Sequence, residues 1–209
     1  MTAATARPAR AALGLGALLV AALAGVVWLA TTTLERAEAP LPVLATVPEF
    51  ALTEASGDEV ALADLRGKPW VADLIFTSCA GVCPRMTKEM ATLRKSVADV
   101  PDVRFVSFSV DPETDTPAVL REYAARFTED RSGWLFLTGD QASIRRVAAE
   151  GFLLPVQDGE VARGDEAIVH SSRFVLVDSD GRVRGTYEVN DAEAMLALRG
   201  DLRRLRDEG

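Results

Sequence analysis

Residues 70–84 read WVADLIFTSCAGVCP: an apolar run interrupted only by Asp73, a loop holding both cysteines of the chain, and then a proline. Gly67-Lys68-Pro69 precedes the run. A short apolar run bounded by turn residues is the pattern of a strand buried on both faces, as in a parallel sheet. Pro84 suits the first position of a helix, and Met86, Met90, Leu93 and Val97 then recur at spacings of 4, 3 and 4. The spacing therefore predicts that Cys79 and Cys83 lie between the end of a core strand and the start of an amphipathic helix. The two methionines fall on the apolar stripe, where methionine fills core space.

Reading outward, residues 103–110 form a second apolar run, and Pro117 opens a helical pattern carrying Val119, Leu120, Tyr123 and Phe127. A short strand at 134–137 and a helix at 141–150 follow. Segments 174–177 and 183–189 flank Asp180-Gly181 as a hairpin. Asn190 with Glu193 three positions on predicts the cap of a last helix running towards Arg206. Upstream, 49–52 and 60–62 flank Ser56-Gly57-Asp58 as an opening hairpin. The order hairpin, βαβα, β, α, hairpin, helix predicts an α/β fold: a thioredoxin-like mixed sheet with helices on both faces.

The 209 residues are 48% hydrophobic and 26% charged, which suits a globular domain rather than a disordered chain. The 23 basic and 31 acidic residues give a formal charge of -8, which repels a phosphate backbone and argues against nucleic acid as a partner. Two cysteines and one histidine are too few for a disulfide-stapled scaffold or a four-thiolate zinc site. Residues 11–30 carry no charge, about the length that crosses a bilayer as a helix. Arg7 and Arg10 precede them, so the positive-inside tendency predicts a cytoplasmic N-terminus over 1–10 and a single-pass anchor over 11–33 in the inner (cytoplasmic) membrane. A proline-containing linker over 34–48 and a periplasmic or otherwise extracytoplasmic domain over 49–209 complete the expected layout. A cleaved signal peptide is the competing reading, with Ala22-Leu23-Ala24 as a small-residue site.

The cysteine pair carries the chemistry. Backbone N–H groups at a helix N-terminus stabilise a thiolate, which makes the sulfur both a metal ligand and a redox group. A plain structural disulfide closing a short loop is the bland alternative. His170, the single histidine, precedes the strand at 174–177. Two thiolates and an imidazole form a three-ligand set suited to copper, because thiolate selects Cu(I) and imidazole serves copper in either oxidation state. Asp73 stands inside an apolar strand six residues before Cys79. Thioredoxins resemble this arrangement, with a buried acid at the same spacing, and such a group can relay protons in dithiol exchange. A partly wet acid, or one paired with a nearby cation, is the competing reading. Asp111 and Asp115 sit between a strand end and a helix start, where acids cap and turn the chain.

Four motifs occur in one order along most of the chain: DLRGKP at 64–69, FTSCAGVCP at 76–84, SVDPETDTP at 109–117, and VHSS at 169–172 followed by FVLVD. In these the sequence resembles the Sco/SenC copper-binding assembly factors of cytochrome c oxidase. The resemblance implies that Cys79, Cys83 and His170 bind one copper ion on a thioredoxin-like domain tethered by one N-terminal helix. It also implies roles for Asp111 and Asp115 in partner recognition or in the copper loop. The expected partners are the copper-site subunit of the oxidase, a thiol reductant or another copper carrier, and the membrane. The first rival activity is a thiol-disulfide reductase using Cys79 and Cys83 without metal, which keeps the cysteines of the oxidase copper site reduced. A thiol peroxidase and a redox or copper sensor are further alternatives.

Overall fold

A computed structural model describes residues 21–28, 40–100, 102–154 and 171–208. The chain divides into two compact units, Met1–Pro40 and Leu41–Gly209. In the first, residues 21–28 are helical with exposed side chains. Among the described residues no helix is long and apolar enough to cross a membrane. The rest of the span expected over 11–33 lies outside the described residues.

The second unit runs β1 (Ala45–Thr46), β2 (Ala51–Glu54), β3 (Glu59–Ala61), α1 (Leu62–Leu65), β4 (Trp70–Ile75), α2 (Val82–Ser96), β5 (Arg104–Ser109), α3 (Pro117–Ala125) and β6 (Trp134–Thr138). It continues with α4 (Gln141–Arg146), whose last turn widens into a π-turn at Val147–Gly151, then β7 (Arg173–Val177), β8 (Arg182–Glu188) and α5 (Ala192–Glu208). The strands form one sheet in the order β1-β8-β7-β4-β5-β6-β2-β3. β4, β5 and β6 pair in parallel, and the β7–β8 hairpin joins β4 antiparallel. The expected mixed α/β sheet is therefore present, covered on both faces.

The alternation of β4 explains the two cores. All six of its residues are buried. Val71 and Ile75 pack with α2, α3 and α5, whereas Trp70, Ala72 and Leu74 pack with Phe50, Phe108, Phe152 and the α4 region. Four large side chains fully buried across these cores, Trp70, Trp134, Phe108 and Phe136, supply much of the hydrophobic stabilisation, roughly 2–3 kcal/mol each.

Three local details differ from the sequence expectations. The sheet begins inside the stretch expected as linker: Ala45 and Thr46 pair with Val183 and Arg182, and Val47 is buried. Two residues in a proline-containing stretch carry no alternation to read, and β8's open edge makes them a strand. Arg184, ion-paired to Asp178 at 2.8 Å, also donates to the Leu41 and Pro42 carbonyls and fastens the start of the unit. The cap of α5 is Asp191 rather than Asn190, since Asp191 Oδ1 accepts from Glu193 N–H at 2.8 Å. Helix α2 starts at Val82, so Cys83 lies within its first turn instead of before it.

Candidate metal and redox site

β4 ends at Ile75, and residues 76–81 carry the chain round to α2. Gly81 occupies the N-cap and has no side chain with which to cap. Helix N-terminal N–H groups need acceptors from elsewhere, and here the Cys79 sulfur takes that part: Cys83 N–H donates to Cys79 Sγ at 3.5 Å. Both cysteines are free and buried, Cys79 at 9% exposure and Cys83 at 2%.

Their environments diverge. For Cys79, burial acts to raise the thiol pKa, but the backbone N–H groups of Cys83, Gly81 and Val82 and the Cys83 thiol prevail and hold it below the ordinary cysteine value. Burial pushes Cys83 far above that value, and neighbouring Cys79 and Asp73 add to the rise. The Cys79 thiol is thus the more acidic of the two, at the mouth of the helix, and the Cys83 thiol the less acidic, behind it.

Asp73 is fully buried, on the same face of β4 as Val71 and Ile75. Among the described residues neither of its carboxyl oxygens has a hydrogen-bond partner of good geometry. Burial pushes its pKa up to about 7, while Ser107, its register partner on β5, acts in the lowering direction. Asp73 faces no solvent, and among the described residues no cation pairs with it. Asp73 is a neutral-prone carboxyl sharing one interior with Cys83.

Asp115 is also fully buried, which leaves it a loop role and not that of a surface contact. Its carboxylate accepts from Thr77 N–H at 3.1 Å and from Ser109 Oγ at 2.6 Å, and also pairs with the Thr77 hydroxyl. Burial outweighs these hydrogen bonds and leaves its pKa above the ordinary value. Asp115 therefore ties the strand end before Cys79 to the β5–α3 connection. Asp111, partly exposed, shapes that connection: its carbonyl accepts from Asp115 N–H at 2.9 Å and its carboxylate from Thr114 N–H at 3.4 Å.

His170 lies outside the described residues, and among the described residues no three His, Cys, Asp or Glu side chains gather as a metal cluster. Thr77 and Ser109, which fix Asp115, stand in the motifs at 76–84 and 109–117 with no link to Asp115 legible there, and Tyr123 falls on the apolar stripe of its helix. Thr77, a hydroxyl immediately before the cysteine loop, was the available signal.

The SCO1/SenC family model matches residues 39–203. The chain belongs to the SCO1/SenC family. The SCO1 protein homolog of Bacillus subtilis (strain 168) is 40% identical over 148 residues, covering 70% of this chain and 75% of that protein. Among solved structures, BsSco, a member of the Sco family of cytochrome c oxidase assembly proteins with an identified disulfide switch, matches at 36% identity and a TM-score of 0.71. That match covers 81% of this chain and 98% of BsSco. Bradyrhizobium japonicum ScoI, solved with copper bound, matches at 30% identity and a TM-score of 0.62, over 77% of this chain and 99% of ScoI. The family match spans both the cysteine loop and the segment carrying His170.

Proposed function

We propose that this SCO1/SenC protein is a membrane-anchored, extracytoplasmic copper carrier. In this reading it holds one copper ion through Cys79, Cys83 and His170 and delivers it to the copper-site subunit of cytochrome c oxidase as the dinuclear centre matures. The observation that carries the reading is the Cys79–Cys83 pair at the first turn of α2, where the helix N–H groups are spent on a sulfur instead of a side-chain cap. The copper-bound state of the Bradyrhizobium relative supports the choice of metal.

Copper is the cargo, and the residues account for both capture and release. Cys79, already thiolate-prone, supplies the first soft ligand. Cys83 loses its proton on binding, so capture is coupled to proton release. Its raised pKa favours the return of that proton and helps the ion leave again. The His170 imidazole completes a three-coordinate set.

The inequality of the two thiols also favours a second activity, reduction of the target's cysteines, with Cys79 as the attacking thiolate and Cys83 as the resolving thiol. His170 separates the two. The test is a Cu(I) titration of the reduced full-length protein against a competing chelator, together with oxidase maturation in cells at limiting copper. The carrier reading expects one equivalent bound, loss of binding in the Cys79→Ser, Cys83→Ser double variant, and weaker binding with impaired maturation in His170→Ala that added copper partly restores. Retained binding without the cysteines would sink it. Normal maturation in His170→Ala, with cysteine variants rescued by an external reductant, would select the reductase. Retention in the membrane fraction after a salt wash checks the anchor.

A further inference from the structure

A buried hydrogen-bonded chain reaches Cys83 from behind. Thr87 lies one turn further along α2, with its Oγ1 2.9 Å from the Cys83 carbonyl oxygen. A carbonyl only accepts, so the single proton of the Thr87 hydroxyl is committed there. Tyr123 of α3 brings its hydroxyl to 2.8 Å from Thr87 Oγ1. With the threonine proton already spent, Tyr123 is the donor. The chain therefore has one direction, from Tyr123 to Thr87 to the Cys83 carbonyl.

All three residues are buried. The Tyr123 ring is held against Phe127, with centroids 5.0 Å apart, and beneath the Arg126 guanidinium at 5.3 Å. Burial, together with the nearby Asp73, Cys83 and Cys79, keeps the phenol well above its ordinary pKa, so its O–H persists as a donor. Phenylalanine and valine would fill the same two places without hydroxyls to desolvate. Two paired hydroxyls on a face otherwise packed with Met86, Met90 and Leu93 thus call for a use at the cysteine turn.

We propose that Tyr123 and Thr87 are positioning residues for the cysteine pair: their hydrogen-bonded chain pins the first turn of α2 through the Cys83 carbonyl and keeps its N–H groups aimed at Cys79 Sγ. Gly81 offers no side-chain cap to do this, so α3 steadies the turn from the interior. The inference rests on the copper reading for its physiological use, but not for its geometry. Without the chain the first turn loosens and the N–H that Cys83 donates to Cys79 Sγ at 3.5 Å in the reduced pair is lost, which weakens the reduced state relative to the disulfide.

The test uses the full-length protein with Tyr123→Phe, Thr87→Val, Thr87→Ser and the Tyr123→Phe, Thr87→Val double variant. Two quantities are measured: Cu(I) affinity against a competing chelator, and the equilibrium with glutathione in which the dithiol is oxidised to the disulfide while one glutathione disulfide is reduced to two glutathiones. Tyr123→Phe and Thr87→Val should each weaken Cu(I) binding about three- to tenfold, the worth of one buried hydrogen bond, and move the glutathione equilibrium towards the protein disulfide by a similar factor. Thr87→Ser, which keeps the hydroxyl, should stay within about twofold of wild type, and the double variant should be no worse than the single ones, because one chain is cut either way. Wild-type values in both Tyr123→Phe and Thr87→Val would overturn the proposal. So would Thr87→Ser losses equal to those of Thr87→Val, or losses that add in the double variant. A wild-type protein that binds no Cu(I) would overturn the copper reading alone, and the glutathione equilibrium would still judge the positioning.

Discussion

On one face of the sheet Trp70, Ala72 and Leu74 of β4 meet Val106 and Phe108 of β5, and Phe108 is ringed by Phe50, Phe152 and Trp70 at centroid distances of 5.5, 5.4 and 6.3 Å. On the other face the same two strands place Asp73, Ser107 and Ser109. Both faces are equally dry. The first is built as a packing surface of aliphatic and aromatic side chains. The second keeps a carboxyl with no hydrogen-bond partner among the described residues, and this is the face against which α2 sets Cys83, Met86 and Thr87. Buried polar groups of this kind cost stability, and β4, β5 and α2 carry Asp73, Ser107, Ser109 and Thr87 on the cysteine side.

That contrast is most severely tested on the apolar face. Phe108→Ala should destabilise the protein by about 3–5 kcal/mol through lost transfer energy and the cavity left behind. Reactivity of Cys79 towards an alkylating reagent should stay near wild type under native conditions. Denaturant unfolding and alkylation kinetics measure the two, and a large change in alkylation would show that the faces are coupled.

Next in size is Asp73. Its folded pKa of about 7 exceeds the unfolded 3.8, so the folded state binds the extra proton between these values. The stability it contributes is complete below about pH 3.8 and is lost as the pH rises through about 7. Asp73→Asn should flatten that slope and leave the variant more stable than wild type at pH 8, by on the order of a few kcal/mol. Unfolding free energies across this range decide it, and an unchanged slope would place the titration elsewhere.

The smallest expected effect is at Asp115. Asp115→Asn keeps the shape but loses part of the grip on Thr77 and Ser109, at a cost of about 1–3 kcal/mol. Hydrogen exchange at the Thr77 amide should quicken more than exchange within β4. Equal protection in both proteins would mean that the loop is held by packing and not by the carboxylate.

Much of this architecture was legible in the residues themselves. The run at 70–76 announced a two-sided strand because parallel central strands are apolar on both faces. The prolines at 84 and 117 marked helix starts because their missing N–H is tolerated there. The α5 cap was misplaced by one residue because Asn190 and Asp191 are both good capping residues, and only the backbone geometry selects between them. Thr77 and Ser109 stand in the motifs at 76–84 and 109–117 and Tyr123 on the apolar stripe of its helix, but nothing in the sequence pairs them with Asp115 or Thr87, because those partners lie on other elements.

From residues alone came the strand–loop–helix placement of the cysteines, the thioredoxin-like order of elements and the choice of a soft metal, because burial pattern, helix-start chemistry and ligand softness are properties of neighbours in the chain. The difference between Cys79 and Cys83, the unpartnered state of Asp73, the Asp115 clasp and the Tyr123–Thr87 chain were decided only in three dimensions. The Cys79 contacts come from the neighbouring turn, but burial of Cys83 and Asp73, the Asp115 clasp and the Tyr123–Thr87 bond all need residues distant in sequence. A pKa or a hydrogen bond belongs to an environment, and that environment exists only once the strands have paired.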